Sequence, residues 1–169
     1  RRGLFDATQF VAITDHDPHR FWYASGIKRW FLPSDVGLEK LVRWGIDRDA
    51  ITVSGMPIHP KWSVEPDRAR VLSDWRLPAD KKVVLLSGGT DFTCGPVVKT
   101  ARKILQLCPE ISLVVLGGRN KKLLGRLGQL AGEIDGLFPV SFTDKIDELV
   151  WVSDMMVTKP GGITTAECI

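Results

Sequence analysis

The chain has 169 residues, of which 44% are apolar and 25% charged, the usage of an ordinary soluble globular protein of one domain or two small halves. A net charge of +3 is too small to argue by itself for a nucleic-acid partner. No apolar run reaches the ~18 residues that a membrane-spanning helix needs.

Short apolar runs alternate with helical patterns, so the chain reads as a succession of βα units. QFVAIT (9–14) predicts a buried strand and RWFLPS (29–34) a second. Ser34 is placed to cap a helix in DVGLEKLVRWG, with Leu38, Leu41 and Val42 on one face and Gly45 at its end. AITVSG (50–55) predicts a third strand. Residues 56–80 carry Pro57, Pro60, Pro66 and Pro78 around a short amphipathic stretch at Arg70–Trp75, the pattern of a linker with one helix.

A second series follows. KVVLLS (82–87) is a continuous apolar run, as expected of a parallel strand covered on both faces. GGTDFTCG (88–95) is a loop, and PVVKTARKILQLC (96–108) a helix with Pro96 suited to its first turn. ISLVVLGG (111–118) predicts a strand. KKLLGRLGQLAGEI (121–134) predicts a helix weakened by Gly125, Gly128 and Gly132. LFPVSF (137–142), DKIDELVWVS (144–153) and DMMVTK (154–159) complete the series as strand, helix and strand. The rhythm predicts right-handed crossovers and two mostly parallel sheets, one on each side of the linker.

Two glycine turns follow strands of the second series, SGGTDFTCG and KPGGITTAE. In open α/β sheets ligands bind at that edge, and glycine lets backbone N–H groups approach an anion. Neither turn is GxGxxG or GxxxxGK[ST], so the dinucleotide and P-loop fingerprints are missing. As isolated signals both are weak, since a Gly-Gly after a strand is more often a plain tight βα turn. Glu167 lies five residues after Gly162, where a carboxylate can accept hydrogen bonds from both ribose hydroxyls; the alternative is a first-turn acid that complements the helix dipole.

Other features carry less. The three cysteines, Cys94, Cys108 and Cys168, are widely spaced and show no zinc pattern, which fits a reducing compartment. Seven Lys or Arg and one acid, Glu110, lie between Lys99 and Arg126; solvated helix faces are the plain explanation. Trp44, Trp75 and Trp151 sit in helical patterns and are expected to pack. The start at Arg1-Arg2-Gly3 and the stop inside a helix are expected to be cut ends.

TDHDPHRFW (14–22), GMPIHPKW (55–62), LLSGGTDF (85–92), VVLGGRNKKL (114–123) and SFTDKIDELVWVSDMMVTKPGGITTAE (141–167) together resemble the family of monogalactosyldiacylglycerol synthases and processive diacylglycerol glucosyltransferases. This family is a branch of glycosyltransferase family 28, similar to the bacterial transferase that adds N-acetylglucosamine to the lipid-linked cell-wall precursor. The resemblance runs over nearly the whole chain and implies an α/β fold of GT-B type. Two Rossmann-like parallel-sheet domains are expected, both truncated here. Residues 1–58 would be the end of the N-terminal, acceptor domain, 59–79 the linker, and 80–169 an incomplete C-terminal domain that binds UDP-sugar.

By the same resemblance Gly88, Gly89 and Thr90 form a first phosphate turn. Gly161, Gly162, Ile163 and Thr164 form a second, and Glu167 holds the ribose. Phe142 and Thr143 meet the uracil through main-chain groups, and Arg119 and Asn120 line the pocket. His19 and Trp22 fit the family's HxxW pattern near the acceptor side; a hydrogen-bonded structural histidine is the other reading of His19. The implied reaction moves a hexose from UDP-hexose to a lipid, with diacylglycerol expected, at the cytoplasmic face of a membrane and with no required cofactor or metal. The family's general base is expected before residue 1, so this segment is expected to be inactive alone. The rival readings are a nucleotide-binding module of a split transferase and a UDP-sugar epimerase of the same fold. Nucleic acid is not an expected partner, and the choice between galactose and glucose is not legible.

Overall fold

A computed structural model of the chain describes residues 7–88 and 95–169. It divides into two compact units: residues up to His59 together with Pro160–Glu167 and Ile169, and Pro60–Lys159 together with Cys168.

The first unit is built on a three-stranded parallel sheet of β1 (Phe10–Ala12), β2 (Arg29–Leu32) and β3 (Ile51–Val53), in the order β1-β2-β3. Trp30 and Leu32 point to the same side of β2 and are buried with Ile13, Leu41, Ile46 and Ile51, as the two-residue period of a strand requires. Helix α1 (Leu38–Arg43) supplies Leu41 to this core. Ser34 does not cap it: its side chain makes no capping bond, and the chain enters α1 through a 3-10 turn at Asp35–Gly37. Gly45, at φ 87°, ends the helix as expected, with its N–H on Val42 O and that of Ile46 on Leu41 O.

The second unit has a parallel sheet of β4 (Val83–Ser87), β5 (Ser112–Gly118), β6 (Leu137–Ser141) and β7 (Met155–Thr158), ordered β6-β5-β4-β7. Helices α3 (Val97–Leu107) and α4 (Lys121–Glu133) cover one face through Val97, Ala101, Leu105, Leu127 and Leu130. Helices α2 (Arg68–Asp74) and α5 (Ile146–Val152) cover the other through Val71, Leu72, Leu149 and Val152. The strands alternate between these cores: Leu113 and Val115 face the first, Val114 the second. Being buried on both faces explains the continuous apolar runs. The Pro-rich stretch read as a linker thus carries α2 as an integral helix of this layer. Pro96 is the N-cap of α3 rather than its first residue. Trp75 and half-buried Trp44 pack against the cores, whereas Trp151 stays 41% exposed and donates from Nε1 to Trp62 O at 3.2 Å.

Asp154 pins the start of β7 to β4. Its N–H donates to Val83 O at 2.8 Å, its Oδ2 accepts from Val83 N–H at 2.8 Å, and its Oδ1 meets Lys82 Nζ at 2.8 Å. The Lys82 hydrogen bond, then the Val83 N–H, hold the Asp154 carboxyl below the usual carboxylate range, against a smaller opposing effect of burial. A depressed folded pKa adds stability that is present above the unfolded value of about 4 and is lost as pH falls through the folded one. Asp154→Ala strands the buried Val83 N–H, so it is expected to cost about 1–2 kcal/mol at neutral pH. In urea unfolding the gap between the wild type and this variant should close as the pH is lowered below about 4.

Candidate nucleotide site

Because all four strands of the second sheet run parallel, the segments after β4, β5, β6 and β7 emerge at one edge. The chain winds outward from β4 to β5 to β6, then returns to place β7 on the other side of β4. Strand order therefore reverses between β4 and β7, the kind of position at which open α/β sheets bind ligands. A hollow of about 250 Å³ lies there, lined by Ser87 and Gly88 at the end of β4, Thr158 and Lys159 at the end of β7, and Val97 and Thr100 from the first turns of α3. The Thr158 hydroxyl at this point is buried and has no hydrogen-bond partner among the described residues. A buried, unsatisfied hydroxyl costs free energy. Gly88, expected at the first phosphate turn, lines the hollow; Gly89 and Thr90 lie outside the described residues.

A second cluster forms where β5 and β6 end. Gly118, at φ 54°, turns the chain after β5, and its carbonyl accepts the Phe142 N–H at 2.9 Å. This bond holds the two expected pocket segments side by side. The Arg119 guanidinium lies 4.1 Å from the centre of the Phe142 ring, which is 60% exposed. Together they make a flat, cationic platform. Asn120 has a structural task, since its Oδ1 accepts the Leu123 N–H at 3.0 Å and caps α4. The Thr143 hydroxyl accepts the Lys145 N–H at 3.0 Å and shapes the turn into α5. Phe142 and Thr143 also border a groove of about 460 Å³ along β6 that includes Trp75 and Arg76. Arg76 stands at φ 56°, the left-handed position after α2 that glycine normally takes.

The second glycine turn belongs to the first unit. Helix α6 (Gly162–Glu167) starts with Gly162, whose backbone is so close to Thr14 that a Cβ would meet the Thr14 carbonyl oxygen at 1.9 Å. Gly161 O accepts the Thr165 N–H at 2.9 Å and the Thr165 hydroxyl at 3.0 Å, and that hydroxyl lies 3.4 Å from His16 Nε2. Ile163 is exposed, and Thr164 and Glu167 are half-buried.

No protein-family model matches the chain. Relatives are nevertheless clear. Over 159 residues, 94% of the chain, it is 32% identical to the processive diacylglycerol beta-glucosyltransferase of Bacillus pumilus. The chain is a homologue of the processive diacylglycerol beta-glucosyltransferases. It spans about 41% of the length of the Bacillus pumilus protein. Among solved structures it is similar to the Neisseria meningitidis UDP-GlcNAc 2-epimerase bound to UDP-GlcNAc, with a TM-score of 0.64 at 15% identity over 81% of this chain and 41% of that one. It is similar also to WaaG, a glycosyltransferase involved in lipopolysaccharide biosynthesis, with a TM-score of 0.56 at 17% identity over 85% of this chain and 42% of that one. At such identities the structural likeness speaks to fold, and the fold is of GT-B type.

The HxxW segment is ordered by local bonds. His19 Nδ1 accepts the Phe21 N–H at 3.3 Å and so caps the 3-10 turn Arg20–Trp22. Trp22 Nε1 donates to Asp15 Oδ2 at 2.6 Å. Sequence reasoning singled out neither Thr158 nor Lys159, which line the β4/β7 crevice. A polar residue at the C-terminal end of an apolar run was the available signal. Among the described residues no group of three His, Cys, Asp or Glu side chains lies together as a metal site would require, and no helix is long and apolar enough to cross a membrane.

Proposed function

We propose that the protein containing this chain transfers a hexose from a UDP-sugar to a lipid acceptor, diacylglycerol being the acceptor named by its relatives. The observation that carries this reading is the crevice between β4 and β7, with Thr158 and Lys159 on one wall and Gly88 on the other, and with the Thr158 hydroxyl buried and unpartnered among the described residues. A diphosphate offers that hydroxyl an acceptor oxygen and that ammonium a negative charge. The Arg119–Phe142 platform supports a planar base nearby, with the main chain of Phe142 and Thr143 at its edge. The roles of Gly161, Gly162, Ile163 and Thr164 on the diphosphate, and of Glu167 on the ribose, rest on the sequence resemblance.

In the proposed reaction an acceptor hydroxyl oxygen attacks C1 of the sugar. The bond from C1 to the diphosphate oxygen breaks, UDP leaves with that electron pair, and the hydroxyl proton passes to a general base. Negative charge grows on the leaving diphosphate, where an ammonium, a hydroxyl and backbone N–H groups would stabilise it. Such an enzyme would meet its lipid at a membrane surface.

The epimerase reading has a specific basis, since a UDP-sugar epimerase shares the fold. Product analysis separates the two. Incubation with UDP-glucose or UDP-galactose and detergent-dispersed diacylglycerol is expected to release UDP and a glycolipid in equal amounts. A changed UDP-sugar formed in the absence of lipid, with no glycolipid, would contradict the transferase reading.

A further inference from the structure

Charge is arranged differently on the two helical faces of the second unit. On the α2/α5 face the charged side chains are paired: Lys61 with Asp147 at 2.8 Å, and Arg70 with Asp74 and Glu148 at 2.8 and 2.9 Å. On the α3/α4 face one pair, Arg102 with Glu133 at 2.6 Å, ties the two helices together. Lys99, Lys103, Lys121, Lys122 and Arg126 are exposed on the same helices, and none has an ion-pair partner among the described residues.

The spacing makes the contrast sharper. Lys99 and Lys103 are four residues apart on α3, and Lys122 and Arg126 four apart on α4. Like charges at that spacing repel across one helical turn and weaken the helix. Among the described residues no acidic side chain offsets these pairs, so an external anionic surface would be favoured here. Apolar surface is interleaved with the cations. A cleft of about 300 Å³ along α3 is lined by Pro96, Lys99, Thr100, Lys103, Ile104 and Leu107, and Leu107 is 72% exposed.

This combination discriminates between anionic partners. Single-stranded nucleic acid is held by aromatic side chains that stack on bases, and neither α3 nor α4 contains an aromatic residue. A bilayer asks for something else: cations at the level of the headgroup phosphates, with lysine stems and an isolated aliphatic side chain reaching the interface.

We propose that the outer face of α3 and α4 docks the protein on an anionic lipid surface. The choice of a lipid partner rests on the glycolipid-transferase reading; the choice of face rests on the charge arrangement alone. The intact protein is sedimented with vesicles of phosphatidylcholine and with vesicles of phosphatidylcholine and phosphatidylglycerol in equal parts, at low and high salt. Binding is expected on the mixed vesicles and should fall as salt rises. Charge reversal at Lys99, Lys103, Lys122 and Arg126 to Glu should reduce partitioning by at least about fivefold for each position. The variant with Lys99, Lys103 and Lys122 all changed to Arg should keep it. Both variants should bind UDP as the wild type does, since these side chains lie outside the crevice.

Mixed-vesicle binding that is unchanged by charge reversal would overturn the assignment of this face while leaving membrane association intact. Binding of a DNA oligonucleotide through the same four residues, without vesicle binding, would overturn it in favour of nucleic acid. Transfer to detergent-dispersed diacylglycerol measured alongside keeps the two readings apart. Transfer without vesicle binding overturns the docking surface alone. Vesicle binding lost on charge reversal, without transfer, supports the docking surface and contradicts the transferase reading.

Discussion

Gly162→Ala is expected to destabilise the first unit by about 1–3 kcal/mol, whereas Gly161→Ala, its immediate neighbour, should leave stability nearly unchanged. A Cβ at Gly162 would sit 1.9 Å from the Thr14 carbonyl oxygen, 3.1 Å from the carbonyl carbon and 3.2 Å from Met56 Cε. The methionine tip can swing aside. The carbonyl cannot, because Thr14 follows Ile13, which is 1% exposed and donates its N–H to Phe31 O at 2.9 Å. Relief therefore requires α6 to move off the Thr14 segment. At Gly161 a Cβ meets only Thr164 Oγ1, at the ordinary contact distance of 3.7 Å. Denaturant unfolding of the two variants checks this, and equal midpoints would refute the close approach. The two glycines of one turn thus have separate reasons to be glycine, and at Gly162 the reason is packing.

Much of the fold is legible in the residues. The runs KVVLLS and ISLVVLGG are apolar without alternation because β4 and β5 are covered by helices on both faces. Gly45 marks the end of its helix because it stands at positive φ. Other features depend on partners distant in the chain. Ser34 has a capping side chain, yet the helix begins through a 3-10 turn that leaves it unused. Arg76 occupies a left-handed position where its residue type gives no warning. The helix in the Pro-rich stretch was legible as α2, but proline content reports turns and not that this helix is buried against α5.

The candidate site divides in the same way. Arg119 and Phe142 were legible as strand-end residues, but their stacking depends on β5 and β6 being neighbours. His19 and Asn120 carried functional expectations and are engaged as caps, one on Phe21 N–H and the other on Leu123 N–H. Thr158 and Lys159 became visible only once β7 was seen beside β4, a non-consecutive pairing that local sequence does not encode.

Thr158 provides the most direct test of the nucleotide site. Its hydroxyl is buried without a partner among the described residues, so Thr158→Val replaces an unsatisfied polar group by a methyl of nearly the same shape. The free protein is expected to gain about 1–2 kcal/mol in stability. If a diphosphate oxygen is the missing partner, the same substitution removes one hydrogen bond to a charged acceptor, worth about 1.5–3 kcal/mol. Titration of UDP into the wild type and the variant, followed by calorimetry, reads this as a dissociation constant. The expected result is a variant that melts higher yet binds UDP at least roughly tenfold more weakly. A variant that melts higher and binds UDP as tightly as the wild type would contradict the assignment of the β4/β7 crevice to the diphosphate.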